Sequence, residues 1–292
     1  MAKVLCIYHS PCADGFGAAW VVRKALGDDV EFYPGVYGKP PPDVTGRHVV
    51  MVDFSYKRPS LMAMAHRARS ILVLDHHKSA QEDLVGLISP PPTYESWRHV
   101  TTGMLSKSLQ LTALFDMSRS GAGMAWDYFF PGQDRPQLIN HIEDRDLWKF
   151  ELEGTREIQE ALFSWPYDFR IWDGLMQSPL RSLRQEGKAL SRKHLKDVNE
   201  LIGETRRIMK IGEYVVPVAN IPYIMASDAG HIMAYTHPFA ATYFDTPTGR
   251  KFSLRSNGGI DVSVVAVSYG GGGHRDAAGF VAPIGWEGEE TE

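Results

Sequence analysis

Short apolar runs alternate with segments in which apolar residues recur every three or four positions in the first part of the chain. The runs are short and rich in β-branched residues, which is typical of buried strands, and the periodic segments are typical of helices. Strands alternating with helices predict a parallel sheet of the α/β class. The predicted strands are Val4–Tyr8, Val30–Tyr33, Val49–Val52 and Ile71–Leu74, and the predicted helices include Phe16–Leu26 and Ser60–Ala68.

The pattern changes near residue 179, where a long, charged, periodic stretch reaches Lys210 without an internal proline. This stretch predicts one long helix. Beyond it, strand-like segments return at Tyr214–Ala219, Ala240–Phe244, Lys251–Ser256 and Asp261–Val265, with a helix at Asp228–Ala234. We therefore predict a larger α/β domain at residues 1–178, a connecting helix at 179–211, a smaller α/β domain at 212–286 and an acidic tail at 287–292.

Composition narrows the function classes only slightly. The 292 residues are 43% hydrophobic and 23% charged, and the formal net charge is −4. That charge argues against a protein that coats long nucleic acids, which needs a basic face. The chain has two cysteines, Cys6 and Cys12, no signal-like N-terminus and no apolar run of membrane-spanning length. We expect a cytoplasmic protein with no membrane partner.

Acidic and histidine residues follow the predicted strands. Asp14 follows the first strand, Asp53 the third, and the triplet Asp75, His76 and His77 the fourth, while Glu143, Asp144 and Asp146 end a helix. Ligands of open parallel sheets bind outside the carboxyl ends of the strands, so these groups are expected to meet. Clustered carboxylates repel unless a cation lies among them, and Asp with His suits manganese or magnesium.

Each of these residues has an ordinary alternative role. A single aspartate at a strand end is usually a turn former or a helix cap. The alternative weakens when several such positions fall on one edge of one sheet. It is weakest for the triplet of residues 75–77, because two adjacent histidines after an apolar strand have no simple packing role.

These residues lie in motifs that resemble those of the DHH phosphoesterases. The segment ILVLDHHKSA resembles the family signature, HSPCADGFGAA the first motif, MVDFS the second and IEDRDLW the fourth. Near the C-terminus, SLRSNGGIDVSVVAVSYGGGGHRDAAGF resembles the DHH-associated domain of the RecJ and nanoRNase branch. The resemblance covers nearly the whole chain, and its first motif is most similar to that of the NrnB-like oligoribonucleases.

The resemblance implies a catalytic DHH domain with two manganese ions, with magnesium or another divalent metal left open. Asp14, Asp53, His76 and Asp144 would hold one ion, and His9 and Asp53 the other, with Asp53 bridging. Asp75 would support the site from behind, and His77 would face the scissile phosphate. In-line attack by a water activated between two metals would then cleave the phosphodiester.

Cys12 departs from this pattern, because many family members have an aspartate there. A Cys12 thiolate could ligate a metal and shift the preference toward softer ions such as zinc. Alternatively, Cys12 is a small buried residue with no ligand role. Both interpretations stay open at this point.

The C-terminal motif places four glycines, Gly270–Gly273, before His274. Glycine allows close backbone approach to a ligand, and exposed amides in such a turn bind anions. We expect a helix to begin in the 275–278 segment and to add to that field. The family pattern implies that Arg255, Gly272, Gly273 and His274 bind the terminal phosphate or base, with the active site in the cleft between the domains.

The preferred function is hydrolysis of short oligonucleotides to nucleoside monophosphates. Three alternatives remain open: a phosphodiesterase for cyclic mono- or dinucleotides, a pyrophosphatase or exopolyphosphatase, and a nucleotide-binding regulator that has lost catalysis. The expected partner is a short oligonucleotide or small nucleotide, and a homodimer is left open.

Overall fold

The computed structural model describes residues 3–102 and 110–289, so the predicted tail lies outside them at residues 290–292. The chain divides into two compact units, Met1–Leu190 and Ser191–Glu292. None of the helices in the described ranges has the length and apolar character needed to cross a membrane.

The first unit is built on a parallel sheet of five strands in the order β2-β1-β3-β4-β5. The strands are β1 Val4–His9, β2 Val30–Gly35, β3 His48–Val52, β4 Ser70–Asp75 and β5 Leu111–Phe115. The eight named helices of this unit are α1 Ala13–Leu26, α2 Arg58–Ala65, α3 Lys78–Asp83, α4 Tyr94–Thr102, α5 Gly121–Phe129, α6 Gln137–Asp146, α7 Thr155–Phe163 and α8 Phe169–Gln177.

Both faces of this sheet are covered by apolar side chains. Along β4, Leu72 and Leu74 belong to one buried cluster, and Ile71 and Val73 belong to the cluster on the opposite face. Because successive side chains of a strand point to opposite faces, a strand buried on both sides must be apolar at every position. The continuous apolar runs that predicted these strands therefore reflect two packed faces, and the predicted α/β class is confirmed.

The long helix α9, Leu180–Thr205, contains the division between the two units. The sequence predicted a helix as far as Lys210, which is wrong at its C-terminal end. Residues Arg207–Ile211 instead form β6, which pairs antiparallel with β7, Tyr214–Asn220. Gly212, with a φ of 58°, makes the tight connection between the two strands.

The second unit contains a six-stranded sheet in the order β10-β11-β9-β8-β7-β6. Its pairs are antiparallel except for β7 with β8. The remaining elements are α10 Ala226–Met233, β8 Ala240–Thr246, β9 Gly249–Arg255, α11 Val262–Ser268, β10 Gly272–Gly273 and β11 Ala277–Ala282. The predicted α/β structure of this part of the chain, with a second sheet, is confirmed.

In two segments of the second unit the structure differs from the prediction: a predicted strand is a helix, and a predicted helix leads into a strand. The predicted strand at Asp261–Val265 is the helix α11, because the Asp261 carboxylate accepts the N–H of Ser263 as an N-cap. Val262, Val265 and Ala266 are buried at helical spacing. The predicted helix at Arg275–Ala278 is wrong as well, since β11 begins at Ala277 and pairs with β9.

Two glycines of α9 provide a test of the helix packing. A Cβ added to Gly187 would lie 1.6 Å from the carbonyl oxygen of Glu157, whereas a Cβ added to Gly203 would meet nothing within 4 Å. We expect Gly187→Ala to destabilise the protein by at least about 2 kcal/mol, because a backbone atom cannot move aside cheaply. Gly203→Ala, the matched control, should stabilise it by about 0.5–1 kcal/mol. Denaturant titration measures both, and equal effects would contradict this packing.

Candidate metal centre

The first unit brings its strand-end residues to one edge of the sheet. His9 is the last residue of β1, Asp53 directly follows β3, and Asp75 ends β4 with His76 and His77 after it. These three strands are adjacent and parallel. Their carboxyl ends therefore meet, as the sequence predicted, and the side chains that follow them form one cluster.

Asp53 lies at the centre of this cluster. Its Oδ1 is 3.0 Å from His76 Nε2, and its Oδ2 is 3.4 Å from His9 Nδ1. Burial alone would raise the pKa of Asp53, but its hydrogen bonds with His76 and His9 hold that pKa well below its usual range. Asp53 therefore stays charged, and each of its oxygens faces a different histidine.

The pKa values of the two histidines shift in the opposite direction to that of Asp53. Burial opposes protonation of both rings, yet the hydrogen bonds with Asp53 raise the pKa of His9 and of His76 well above the usual value. For His76, the charges of Asp146 and Asp14 add to this effect. In the metal-free protein, the protonated form of both rings is therefore favoured. Their protons supply positive charge at the positions where positive charge is favoured.

Asp14 reaches the same place from the N-terminus of α1. Its carboxylate accepts the N–H groups of Gly121 and Ala122 at 2.6 and 2.9 Å, at the N-terminus of α5, and lies 3.5 Å from His76 Nε2. Burial, with the nearby charges of Asp53 and Asp146, raises the pKa of Asp14 well above its usual range. The carboxylates of the cluster therefore repel one another strongly.

Glycine is required where the elements approach most closely. A Cβ at Gly121 would lie 2.4 Å from the Cβ of Asp53, and a Cβ at Gly15 would lie 2.2 Å from the carbonyl oxygen of His9. No side chain fits at either position. The glycines of ADGFG and SGAG in the sequence thus belong to the site, although the sequence alone did not assign Gly15 or Gly121 to it.

The cluster contains two groups of possible metal ligands within the described ranges of the first unit. One consists of Asp14, His76 and Asp146, and the other of His9, Asp53 and His77; in each, the ligand atoms lie within 4.8 Å of one another. Carboxylate oxygens and imidazole nitrogens suit manganese, magnesium and zinc. A divalent cation would relieve the carboxylate repulsion that raises the pKa of Asp14, so the residues present fit such an ion.

Asp75 lies behind the cluster and is fully buried. Its Oδ1 accepts hydrogen bonds from the backbone N–H of His76 at 2.8 Å and from Nδ1 of His77 at 2.7 Å. Burial works to raise the pKa of Asp75, but the adjacent His77 holds that pKa below its usual value. Asp75 therefore fixes the orientation of His77 through a charged hydrogen bond.

The predicted ligand Asp144 lies outside both groups. Its Oδ1 accepts the N–H of Glu151 at 2.8 Å, and its Oδ2 accepts the N–H of Leu152 at 3.1 Å and the hydroxyl of Thr155 at 2.5 Å. Asp146 belongs to one of the two groups instead, with Oδ2 3.5 Å from His76 Nε2, and the assignment of Asp144 as a ligand stays a prediction. Residues two apart on a helix point in different directions, so only one of this pair can face the sheet edge.

Cys12 lies next to this site without joining either three-residue group of the described chain. Burial raises the pKa of its thiol, and a hydrogen bond with His9 opposes that shift. The thiol form is thus favoured in the metal-free protein, and Cys12 contacts a proposed ligand. The choice between a ligand and a buried packing role stays open.

Sequence reasoning also missed Tyr37, two residues beyond β2. Its ring lies 5.2 Å from that of His9 and 5.9 Å from that of His77, and 51% of the residue is exposed. Desolvation and the charges of Asp75 and Asp53 raise the pKa of Tyr37 well above its usual range, so its hydroxyl remains a hydrogen-bond donor. The sequence feature that could have identified Tyr37 as part of the site is its position just after a predicted parallel strand.

In the second unit, the predicted substrate-binding residues lie on neighbouring strands. Arg255 of β9 pairs with Ala277 of β11, and Gly273 of β10 pairs with Ala278. Arg255 donates to the Ser227 hydroxyl at 2.9 Å and to the carbonyl of Leu254 at 2.8 Å.

The last two glycines of the motif form β10, and residues 274–276 form the turn between β10 and β11. The backbone N–H of His274 donates to the carbonyl of Ala277 at 2.8 Å. Gly273 has a φ of 146°, and a Cβ there would lie 2.6 Å from the same carbonyl oxygen. The structure thus places Arg255, Gly272, Gly273 and His274 in one part of the second unit, and their predicted role in binding substrate stays a prediction.

Comparison with known proteins matches this second region to a family. Residues 224–289 match the DHHA1 domain, and they include Arg255 and the Gly272–His274 segment. Uncharacterized protein R106 of Acanthamoeba polyphaga mimivirus is 29% identical over 307 residues, which cover 94% of this chain and 66% of R106. The chain thus spans slightly less than two thirds of the length of that relative.

One solved structure has a similar fold at low sequence identity. The DHH domain of a protein from a family of ribosomal proteins has a TM-score of 0.55 at 13% identity, covering 95% of this chain and 82% of that one. The pGpG-specific phosphodiesterase PggH of Vibrio cholerae also matches, with a TM-score of 0.45 at 13% identity, covering 97% of this chain and 94% of that one. Residues 224–289 thus match the DHHA1 domain, and the fold of the chain is similar to that of a DHH domain.

Asp144 and Asp146 form a matched pair for testing the ligand set. We expect Asp146→Asn to leave the metal-free protein at least as stable as the wild type, since it removes a half-buried carboxylate that is repelled by its neighbours, and to reduce stabilisation by Mn²⁺. Asp144→Asn should lower stability by about 1–3 kcal/mol, because it removes charge-assisted hydrogen bonds, while Mn²⁺ still stabilises the variant. Thermal unfolding with and without Mn²⁺ distinguishes them, and the reverse pattern would restore Asp144 as the ligand.

Proposed function

We propose that the protein is a metal-dependent phosphodiesterase that hydrolyses short oligonucleotides to nucleoside monophosphates. The observation that carries this proposal is the position of Asp53, whose two oxygens face His9 and His76 in two adjacent ligand groups. The DHHA1 match supports the same class of enzyme, as does the likeness of the fold to a DHH domain. The residues provide for two divalent ions with one shared carboxylate.

The ligand set follows from the two groups. Asp14, His76 and Asp146 would hold one ion, and His9 and Asp53 the other, with Asp53 shared and His77 beside the second group. Manganese is the proposed ion, and the oxygen-rich set is compatible with magnesium. When bound, such ions supply positive charge that stabilises negative charge on phosphoryl oxygens and favours deprotonation of water.

The protein's own residues are proposed to orient the substrate and to donate hydrogen bonds or protons to its oxygens. Asp75 accepts the Nδ1–H of His77, which fixes the orientation of the ring. The other ring nitrogen of His77 is proposed to donate to a phosphate oxygen or to the leaving oxygen. Tyr37 lies within 6 Å, ring to ring, of both His9 and His77, and its hydroxyl is a second proposed donor.

The DHHA1 domain is proposed to bind the part of the substrate away from the scissile bond. Arg255 presents a guanidinium, and the 272–274 segment presents glycine backbone, both of which suit phosphate. Short linear nucleotides carry phosphates and bases that such a segment would recognise, which makes a dinucleotide or short oligonucleotide the proposed substrate.

Product analysis tests the proposal directly. Purified protein with Mn²⁺ would be incubated with a dinucleotide, a five-residue RNA, a cyclic dinucleotide, a cyclic mononucleotide and polyphosphate. We expect mononucleotides from the two linear substrates, and a loss of at least about 10³-fold in Asp53→Asn, since the shared carboxylate loses its charge. Chromatography of the products gives the readout.

One control variant and two contrary outcomes fix the interpretation of that experiment. Asp43→Asn removes a fully exposed carboxylate of the same unit and should leave turnover unchanged. Cleavage restricted to a cyclic nucleotide or to polyphosphate would contradict the proposed substrate, whereas no turnover on any substrate, despite bound metal, would contradict catalysis altogether.

A further inference from the structure

The turn that follows Asp146 has an unusual backbone. Trp148 and Phe150 have φ values of 57° and 53°, the left-handed region that bulky residues rarely adopt. The turn is held by Asp144, whose carbonyl accepts the N–H of Lys149 at 2.8 Å and whose carboxylate accepts two further backbone N–H groups. Asp144, the buried residue that the sequence analysis assigned to the metal, thus holds the turn that carries the side chains of Trp148 and Phe150.

Those aromatic rings alternate with two arginines. The Arg145 guanidinium lies 5.2 Å from the centre of the Trp148 ring and 5.3 Å from that of Phe163. The Arg156 guanidinium lies 3.7 Å from the centre of the Phe150 ring and 5.7 Å from that of Trp148. Guanidinium groups held over ring faces keep their N–H edges available for planar anions, which lysine cannot imitate.

Arg145 is the member of this stack nearest to the metal centre in the chain. It directly precedes Asp146, whose Oδ2 lies 3.5 Å from His76 Nε2. Within residues 3–102 and 110–289, Arg145 forms no ion pair shorter than 4 Å; its guanidinium lies against the two aromatic rings, and its charge favours the charged form of the Asp146 carboxylate. A half-buried positive charge that is close enough to act on a proposed metal ligand, and that is held by rings and not by a direct carboxylate contact, is suited to an anion supplied from outside the protein.

We propose that Arg145 binds a second phosphate of the substrate, in addition to the phosphate that is cleaved. This inference rests on the proposed function and names one further chemical requirement, a substrate with at least two phosphate groups. Trp148 and Phe163 hold the guanidinium plane, and Asp144 fixes the turn that carries Trp148. Arg145 is therefore a residue that selects among nucleotides, while Asp144 is a positioning residue.

Direct binding tests the inference without relying on turnover. Calorimetry in the presence of Mn²⁺ would compare adenosine 3′,5′-bisphosphate with adenosine monophosphate, neither of which contains a phosphodiester. The wild type is expected to bind the bisphosphate about ten- to a hundred-fold more tightly, the range for a charge-assisted hydrogen bond to phosphate. In Arg145→Gln this preference should fall close to one, with the affinity for the monophosphate changed less than about twofold.

Two variants complete the design. Arg170→Gln removes an exposed arginine from the same unit and should keep the wild-type preference. Arg145→Lys keeps the charge without the planar fork, so an intermediate preference is expected, and it provides a second variant if Arg145→Gln fails to fold by circular dichroism.

Several results would overturn the inference. They are an unchanged preference in Arg145→Gln, an equal loss for both ligands, or no preference in the wild type. The product analysis on the five substrates tests the proposed function independently of this binding comparison. A wild type that prefers the bisphosphate but cleaves no diester would leave the role of Arg145 intact and refute the proposed function.

Discussion

The charge on one buried carboxylate, that of Asp53, organises the site of the first unit. Burial disfavours this charge, and only the two histidines on either side of it make it stable. In turn, the charge on Asp53 raises the pKa of both rings, so the three groups depend on one another. Asp14 and Asp146 add negative charge around the same His76, which leaves an arrangement that a cation completes better than protons do.

Much of the first unit was predictable because its sheet is buried on both faces. Continuous apolar runs inside β1, β3 and β4 leave few alternatives to a central parallel strand, and the polar residues at or after their C-terminal ends then fall on one edge. The choice between Asp144 and Asp146 was not predictable from the motif. It depends on the direction in which the last turn of α6 faces. It also depends on the Thr155 hydroxyl and the backbone N–H groups of residues 151 and 152, which donate hydrogen bonds to the Asp144 carboxylate.

The second unit shows where local pattern misleads. The segment from Val262 to Val267 is rich in β-branched residues and resembles a strand, yet an N-cap at Asp261 and burial at helical spacing make it a helix. The segment after His274 resembled a helix start next to a glycine run, but its backbone completes the sheet against β9. The second case was decided by a neighbouring strand, whereas in the first the N-cap at Asp261 is a signal within the segment that the β-branched composition outweighed.

The ligand groups also constrain how the first unit can fold. Their members come from the ends of β1, β3 and β4, from the start of α1 and from the end of α6, and they extend from His9 to Asp146. The His9, Asp53 and His77 group is complete within residues 9–77, whereas the Asp14, His76 and Asp146 group also needs the end of α6. A partly synthesised chain that ends before α6 therefore lacks one of the two groups. Uptake of a second ion would report that synthesis and folding have passed α6, so metal stoichiometry would mark a stage in the folding of the first unit.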